Sequence, residues 1–215
     1  ILSSSLSLER PLRVAYLGPR ATFTHMAGMQ KFGLAAQYLP VESIKDVFSE
    51  VERARADYGV VPVENSTEGV VNYTLDMFID SDLKIWAEIM LEVSQHLMNK
   101  SGRIEDITKI YTHPQVPGQC REWLDKNLPG VPVLSAPSTA RAAEMAADDP
   151  TSAAIASEMA AVLYSLQIVA KNIQDNPNNY TRFLVIAAKS PGRTGNDKTS
   201  IMFSIKDRVG ALLSM

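Results

Sequence analysis

Residues 178–183 read Asn-Asn-Tyr-Thr-Arg-Phe, and the apolar run Leu184-Val185-Ile186 follows at once. A hydroxyl, on Thr181, and a guanidinium, on Arg182, therefore stand where a polar loop enters a buried strand, with Phe183 beside them. Arginine grips a carboxylate in a planar fork, and threonine offers a short, directional donor. The pair suits a small anionic ligand, with Arg182 as the carboxylate clamp.

Three more polar islands lie at the ends of apolar runs. Gly18-Pro19-Arg20-Ala21-Thr22-Phe23-Thr24-His25 joins a first strand to a first helix. Free N–H groups at a helix start suit a carboxylate or phosphate, although Thr22 or Thr24 also fits a simple cap. Glu64-Asn65-Ser66-Thr67-Glu68-Gly69 follows the apolar segment 58–63, the end of a strand where open α/β sheets collect ligands. Asn65 brings a donor and an acceptor, and Ser66 and Thr67 bring hydroxyls. The same residues fit a helix cap with Glu68 closing a capping box. In Thr112-His113-Pro114-Gln115-Val116-Pro117-Gly118-Gln119-Cys120, Gln115 and Gln119 are four apart. On one helical face they would reach a hydroxyl or carboxylate from an opposite lobe. His113 reads as a structural residue before proline. Ser138 and Thr139 make a fifth contact or a routine cap.

Other chemistries find no support. The chain has no G-x-G-x-x-G and no phosphate-binding P-loop pattern. His25 and His96 lack Cys, Asp or Glu at ligand spacing, so no metal site is expected. The single cysteine, Cys120, has no base near it in sequence and reads as a buried thiol, with no intrachain disulfide.

The elements that must position these groups alternate as strand and helix, the pattern of an α/β sheet. Strands are expected at 14–17, 37–40, 58–63, 107–112, 131–134, 153–156, 167–171 and 182–188. Helices are expected at 23–32, 43–55, 66–79, 115–127 and 138–147, with another running through Tyr164. The clearest is 43–55, where Ser43 caps and Ile44, Val47, Phe48 and Val51 recur at helical spacing. Residues 84–98 alternate as one long strand or as two that cross between lobes. Residues 190–196, rich in Gly, Pro and Ser, read as a linker, and 199–206 with 209–213 as a new strand and helix start.

With 215 residues, 46% hydrophobic, the chain can bury a full core, and a net charge of −3 carries no bias toward nucleic acid or membrane. Its longest apolar runs are too short to span a bilayer, and its first residues lack the pattern of a signal peptide, so a cytoplasmic location is expected. Both ends read as cut.

The ordered set G-P-x-x-T-F-S/T, P-I/V-E-N-S-x-x-G, S/T-H-P-x-x-x-x-Q-C, S-T-A-x-A and N-x-T-R-F resembles the prephenate dehydratase family. Here it stands at 18–24, 62–69, 112–120, 138–142 and 179–183. The resemblance covers roughly 12–188 and departs at Ala21, where the family usually has Gly, and at Thr24, which replaces the commoner Ser. It implies an α/β, two-lobed fold similar to a type II periplasmic binding protein, with the active site between the lobes. One lobe would be about 12–82 plus 175–188, the other about 83–174. Residues 1–11 resemble the tail of a chorismate mutase helix, 189–197 a linker, and 198–215 the opening of an ACT (ferredoxin-like) regulatory domain, present in part.

The implied reaction is loss of water and carbon dioxide from prephenate, leaving phenylpyruvate, with no cofactor or metal. On the resemblance, Thr181 assists the leaving hydroxyl, with Asn65 and Gln119 as further catalytic groups. Arg182, Phe183, Ser66, Thr67, Thr112, Thr22, Ser138 and Thr139 bind the substrate, and Glu64 is structural. The resemblance also implies a homodimer and, in the full-length protein, phenylalanine as allosteric ligand; the partial ACT segment predicts a rate that phenylalanine leaves unchanged. Arogenate dehydratase and a non-catalytic anion-binding module are the competing readings.

Overall fold

The computed structural model describes residues 10–203. Two sheets divide the chain into two lobes, each built of strands with helices packed against them.

The first sheet is laid down by β1 (Arg13–Leu17), β2 (Gln37–Val41), β3 (Tyr58–Asn65), β4 (Gly69–Val70), β5 (Lys84–Glu92) and a last strand, β11 (Tyr180–Ala187). Its order is β2-β1-β3-β11-β5, with β4 hairpinned onto β3. Strands β1, β2 and β3 are mutually parallel, whereas β11 runs antiparallel between β3 and β5. Helices α1 (Phe23–Phe32) and α2 (Ile44–Glu52) make the crossovers, and α3 (Asn72–Asp80) leads into β5. Ser43 caps α2 by accepting from the Asp46 N–H, and Ile44, Val47, Phe48 and Val51 are its buried face. Each such side chain, fully buried, contributes about 1.5–3 kcal/mol. The core beneath α2 is so close that Gly59 has no room for a side chain: a Cβ there would lie 2.7 Å from Val47 Cγ1 and 2.8 Å from Ile186 Cγ1.

The second sheet, in the order β10-β6-β9-β7-β8, comprises β6 (His96–Asn99), β7 (Lys109–Thr112), β8 (Val133–Ser135), β9 (Ser152–Ala156) and β10 (Gln167–Ala170). Its helices are α4 (Val116–Gln119), α5 (Arg121–Asn127), α6 (Thr139–Asp148) and α7 (Glu158–Leu163). Alanines dominate the seam between sheet and helices: Ala140, Ala142, Ala143 and Ala146 of α6 face Ala154 and Ala156 of β9, all fully buried. Small side chains let the helix sit close to the strands, so dispersion contacts there are dense.

Several expected elements differ. Residues 84–98 form two strands that cross between the sheets, one of the two expected readings, but the crossing falls after Glu92 rather than near residue 83, so β5 belongs to the first lobe. The expected helix 66–79 starts only at Asn72: Gly69 takes φ +87°, a left-handed conformation that turns the chain into the β3–β4 hairpin. The helix 115–127 is broken at Cys120 (φ −124°) into α4 and α5. Residues 199–203 carry no strand, and the rest of the expected regulatory segment and residues 1–9 lie outside the described residues.

Candidate active site

A cleft of about 1000 Å³ opens between the lobes. The first lobe lines it with the β1–α1 turn, the β3–β4 turn and the start of β11. The second lobe contributes the loop around His113, the start of α4 and the start of α6.

At the floor, strand alternation decides which groups of β11 face the cleft. Thr181 and Phe183 line it; Arg182, between them, points to the opposite face. There its guanidinium is held by Glu64 at 3.0 Å and Glu88 at 3.2 Å, and Lys198 joins Glu88 at 2.6 Å. The expectation that Arg182 clamps a substrate carboxylate is therefore corrected: its charge is spent on neighbouring strands. Glu64, expected to be structural, is one partner of this ion pair. The two cations and the Lys198 bond hold the Glu88 carboxyl below the usual carboxylate range.

Asn65 orients Thr181. Its Oδ1 accepts from the backbone N–H groups of Thr67 (2.9 Å) and Glu68 (3.0 Å). Backbone nitrogens can only donate, so the amide has a single possible orientation, and Nδ2 must face the other way. Nδ2 donates to Thr181 Oγ1 at 2.8 Å and to Asn179 Oδ1 at 2.9 Å. Thr181 thus receives a hydrogen bond on its oxygen, and its own O–H donates to no group among the described residues.

The same polarity runs across the lobes. Asn179, 1% exposed, donates through Nδ2 to Gln119 Oε1 at 3.1 Å, and Gln119 Nε2 donates to Glu68 Oε1 at 2.9 Å. Asn65, Asn179, Gln119 and Glu68 form one directional chain, closed by the bond from Glu68 N–H back to Asn65. Asn65 and Gln119 both line the cleft.

Two helix starts face this floor. Thr22 caps α1, accepting from His25 N–H at 3.4 Å, while its hydroxyl lies 3.1 Å from both Leu17 O and Pro19 O. Ser138 caps α6, accepting from Arg141 N–H at 3.0 Å. Thr22, Ser138 and Thr139 all line the cleft, so the cap and ligand-facing readings coincide. The free N–H groups of both helix starts carry partial positive charge.

Besides Arg182, three residues expected to bind substrate do not line it. Thr112 is 1% exposed and donates to Ile155 O at 2.9 Å, locking β7 to β9. Ser66 donates to Asn178 O and accepts from Tyr180 N–H, tying the β3–β4 turn to the strand that carries Thr181. Thr67 is exposed and serves through its backbone N–H.

Sequence reasoning missed several lining residues, among them four polar ones. Arg141, the variable position of S-T-A-x-A, brings the cleft a cation, paired with Glu144 at 2.6 Å. His113, read as merely structural, lines the cleft; its Nδ1 accepts from Gln115 N–H at 3.4 Å, so the neutral ring keeps its proton on Nε2. Burial pushes its pKa below the usual histidine value, against the opposing pull of Glu68. Glu68, read as part of a cap, and Gln95, in the crossing segment after β5, are the others. Signals for Arg141 and Glu68 were present inside the motifs; Gln95 had none.

Ala21 takes φ +64°, the region that glycine enters without strain. Its methyl is buried in the alanine core of the second lobe, and Ser157 Oγ of that lobe donates to Ala21 O at 3.0 Å. The strained turn is thus an interlobe contact. Cys120 is fully buried, its thiol pushed up to about 12 by burial and the nearby Asp175, which suits an inert core residue. Among the described residues no group of three or more His, Cys, Asp or Glu is placed to hold a metal ion, and no helix is long and apolar enough to cross a membrane.

A two-lobed α/β fold with amide side chains in the cleft between its sheets defines the class: a two-lobed scaffold with a small-molecule-sized cleft. Comparison gives the family. The prephenate dehydratase profile matches residues 14–191, and the chain belongs to that family. It is 56% identical over 212 residues to the bifunctional chorismate mutase/prephenate dehydratase of Aquifex aeolicus (strain VF5), covering 99% of this chain and 59% of that protein. It is 38% identical to the prephenate dehydratase of Lactococcus lactis subsp. lactis (strain IL1403), covering 94% and 74%. The crystal structure of prephenate dehydratase in complex with L-Phe from Arthrobacter aurescens superposes with a TM-score of 0.82 at 32% identity, covering 94% of this chain and 70% of that one. The chain thus spans under two thirds of the bifunctional relative's length.

Proposed function

We propose that this chain is a dehydratase unit that converts prephenate to phenylpyruvate. The observation that carries the reading is Thr181, whose oxygen is held by Asn65 Nδ2 at 2.8 Å and whose own O–H donates to no group among the described residues.

In the reaction, the bond between the ring and its carboxylate breaks and carbon dioxide departs. The electron pair enters the ring, and the C–O bond at the opposite carbon breaks. The hydroxyl leaves as hydroxide and takes up a proton to become water. The departing hydroxide carries away one electron pair for the one released with carbon dioxide, so no external electron acceptor is required, and aromatisation supplies the driving force. Threonine is far too weak an acid to act by free ionisation at neutral pH; its task is a fixed hydrogen bond to the departing oxygen. In a cleft that excludes water, such a donor is worth about 2.7–4 kcal/mol at the transition state. The helix starts at Thr22 and Ser138, with Arg141, balance the two carboxylates, and Phe183 offers an apolar face to the ring.

For the whole protein we infer a cytoplasmic homodimer joined to chorismate mutase and responsive to phenylalanine. The name of the Aquifex relative supports the joined mutase and the L-Phe of the Arthrobacter structure supports the response to phenylalanine; the dimer and the location rest on the family resemblance. Parallel incubation with prephenate and arogenate tests the activity. Phenylpyruvate from prephenate is expected; phenylalanine formed from arogenate alone would reassign the substrate, and binding without turnover would leave only an anion-binding module.

A further inference from the structure

The break between α4 and α5 at Cys120 leaves backbone groups that the helices themselves do not satisfy. The last carbonyl of α4, on Gln119, has no helical partner, and Cys120 gives the first turn of α5 no side-chain cap. One residue from the returning segment between β10 and β11 meets both needs. Asp175 donates its N–H to Gln119 O at 2.7 Å. Its carboxylate accepts from the N–H groups of Glu122 at 3.1 Å and Trp123 at 3.3 Å, one on each oxygen. A negative charge at the start of α5 also suits the partial positive charge of the helix end.

A four-residue helix that contains Pro117 and Gly118 has little hold of its own. The buried side chains of Val116 and Cys120 keep it against the core, but apolar contact is non-directional and leaves its rotation to the hydrogen bonds. That rotation decides where Gln119 points. Gln119 is the second lobe's member of the amide chain, accepting from Asn179 Nδ2 at 3.1 Å and donating to Glu68 at 2.9 Å. Segment 175–179 thus grips Gln119 twice, by its carbonyl through Asp175 and by its side chain through Asn179. Asp175 is not among the cleft-lining residues, so it acts on the site only through others. We propose that Asp175 is a positioning residue: it splices α4 to α5 and so aims Gln119 at Asn179 and Glu68, completing across the lobes the amide chain that orients Thr181. This rests on the dehydratase reading.

A double-mutant cycle with two readouts tests this. Asp175→Asn keeps the backbone N–H and one acceptor, so the chain still folds, but its amide nitrogen cannot accept the second N–H. Tm should fall by roughly 2–6 °C, the usual loss for a helix cap. In the same variant kcat should fall about 10- to 100-fold, on whichever of prephenate and arogenate the unaltered chain turns over. A merely structural cap would move Tm alone. Gln119→Met removes the amide that Asp175 aims and should lower kcat by itself. In that background Asp175→Asn should change kcat by less than about twofold more, while the Tm loss recurs in full. Unchanged kcat in Asp175→Asn, full activity in Gln119→Met, or the same fold loss of kcat in both backgrounds would each overturn the proposal and leave the dehydratase reading standing. If the unaltered, folded chain turns over neither substrate, both readings fall together.

Discussion

The directional amide chain makes Asn65→Asp a revealing substitution. The new carboxylate still accepts from the N–H groups of Thr67 and Glu68, but it can donate to nothing. Thr181 must then turn its proton inward, and the donor aimed at the substrate disappears. Turnover should fall about 100- to 1,000-fold, the usual loss for one preorganised donor. The rest of the chain must also reverse. Asn179 and Gln119 flip their amides, and Gln119 Oε1 is left facing Glu68 Oε1, two acceptors where a 2.9 Å bond stood. That mismatch costs about 1–3 kcal/mol, or a few degrees in Tm. The added negative charge also raises KM for a dianion. Adding Glu68→Gln resolves the frustration, because the second amide can donate to Gln119 and the cleft's net charge is restored. The double variant should therefore regain Tm and KM while kcat stays low. Thermal melts and steady-state kinetics on the wild type, the two single variants and the double variant read all three quantities. Recovery of kcat in the double variant, or full activity in Asn65→Asp, would refute the assignment of the Thr181 proton.

Further outcomes follow from other contacts. Arg182→Met should lower stability by about 1 kcal/mol, since its pairs are part-exposed, and leave KM within about threefold; Arg141→Met should raise KM about tenfold or more with little change in Tm. Steady-state kinetics showing the reverse pattern would return the carboxylate clamp to Arg182. Gly59→Ala forces a methyl into contacts of 2.7 and 2.8 Å and should cost about 1–3 kcal/mol in urea unfolding with an unchanged m-value. Burial lowers the pKa of His25, His96 and His113 below 6.5. The unfolded chain therefore binds protons first as pH falls, and the stability from keeping these rings neutral is present above pH 6.5 and lost on acidification through the lowered folded values. Melts across that range should show Tm falling with pH, and a flat profile would contradict the assignment.

Much of the fold was legible because local patterns and tertiary placement agree. Ser43 caps the helix it was expected to cap, and the apolar segment 58–63 is a central strand flanked on both sides. The failures have local physical causes. Gly69 fell inside the expected helix 66–79, but its positive φ makes a hairpin. Thr181 and Arg182 were both turned toward a ligand, although neighbours on a strand face opposite sides, so only one of them could reach it. Arg141 sat unremarked in the variable position of a motif because its role depends on where α6 points, which only the packing of the alanine seam decides. Gln95 lines the cleft without any signal in the sequence around it.

The central claim is that Thr181 supplies a hydrogen bond to the leaving hydroxyl, and Thr181→Val tests it most directly. Valine keeps the shape and sets a methyl where the hydroxyl stood. Phenylpyruvate formation from prephenate should fall about 100- to 1,000-fold in kcat, with prephenate still bound and Tm lowered by no more than a few degrees for the lost Asn65 bond. Undiminished turnover in the variant would contradict the account.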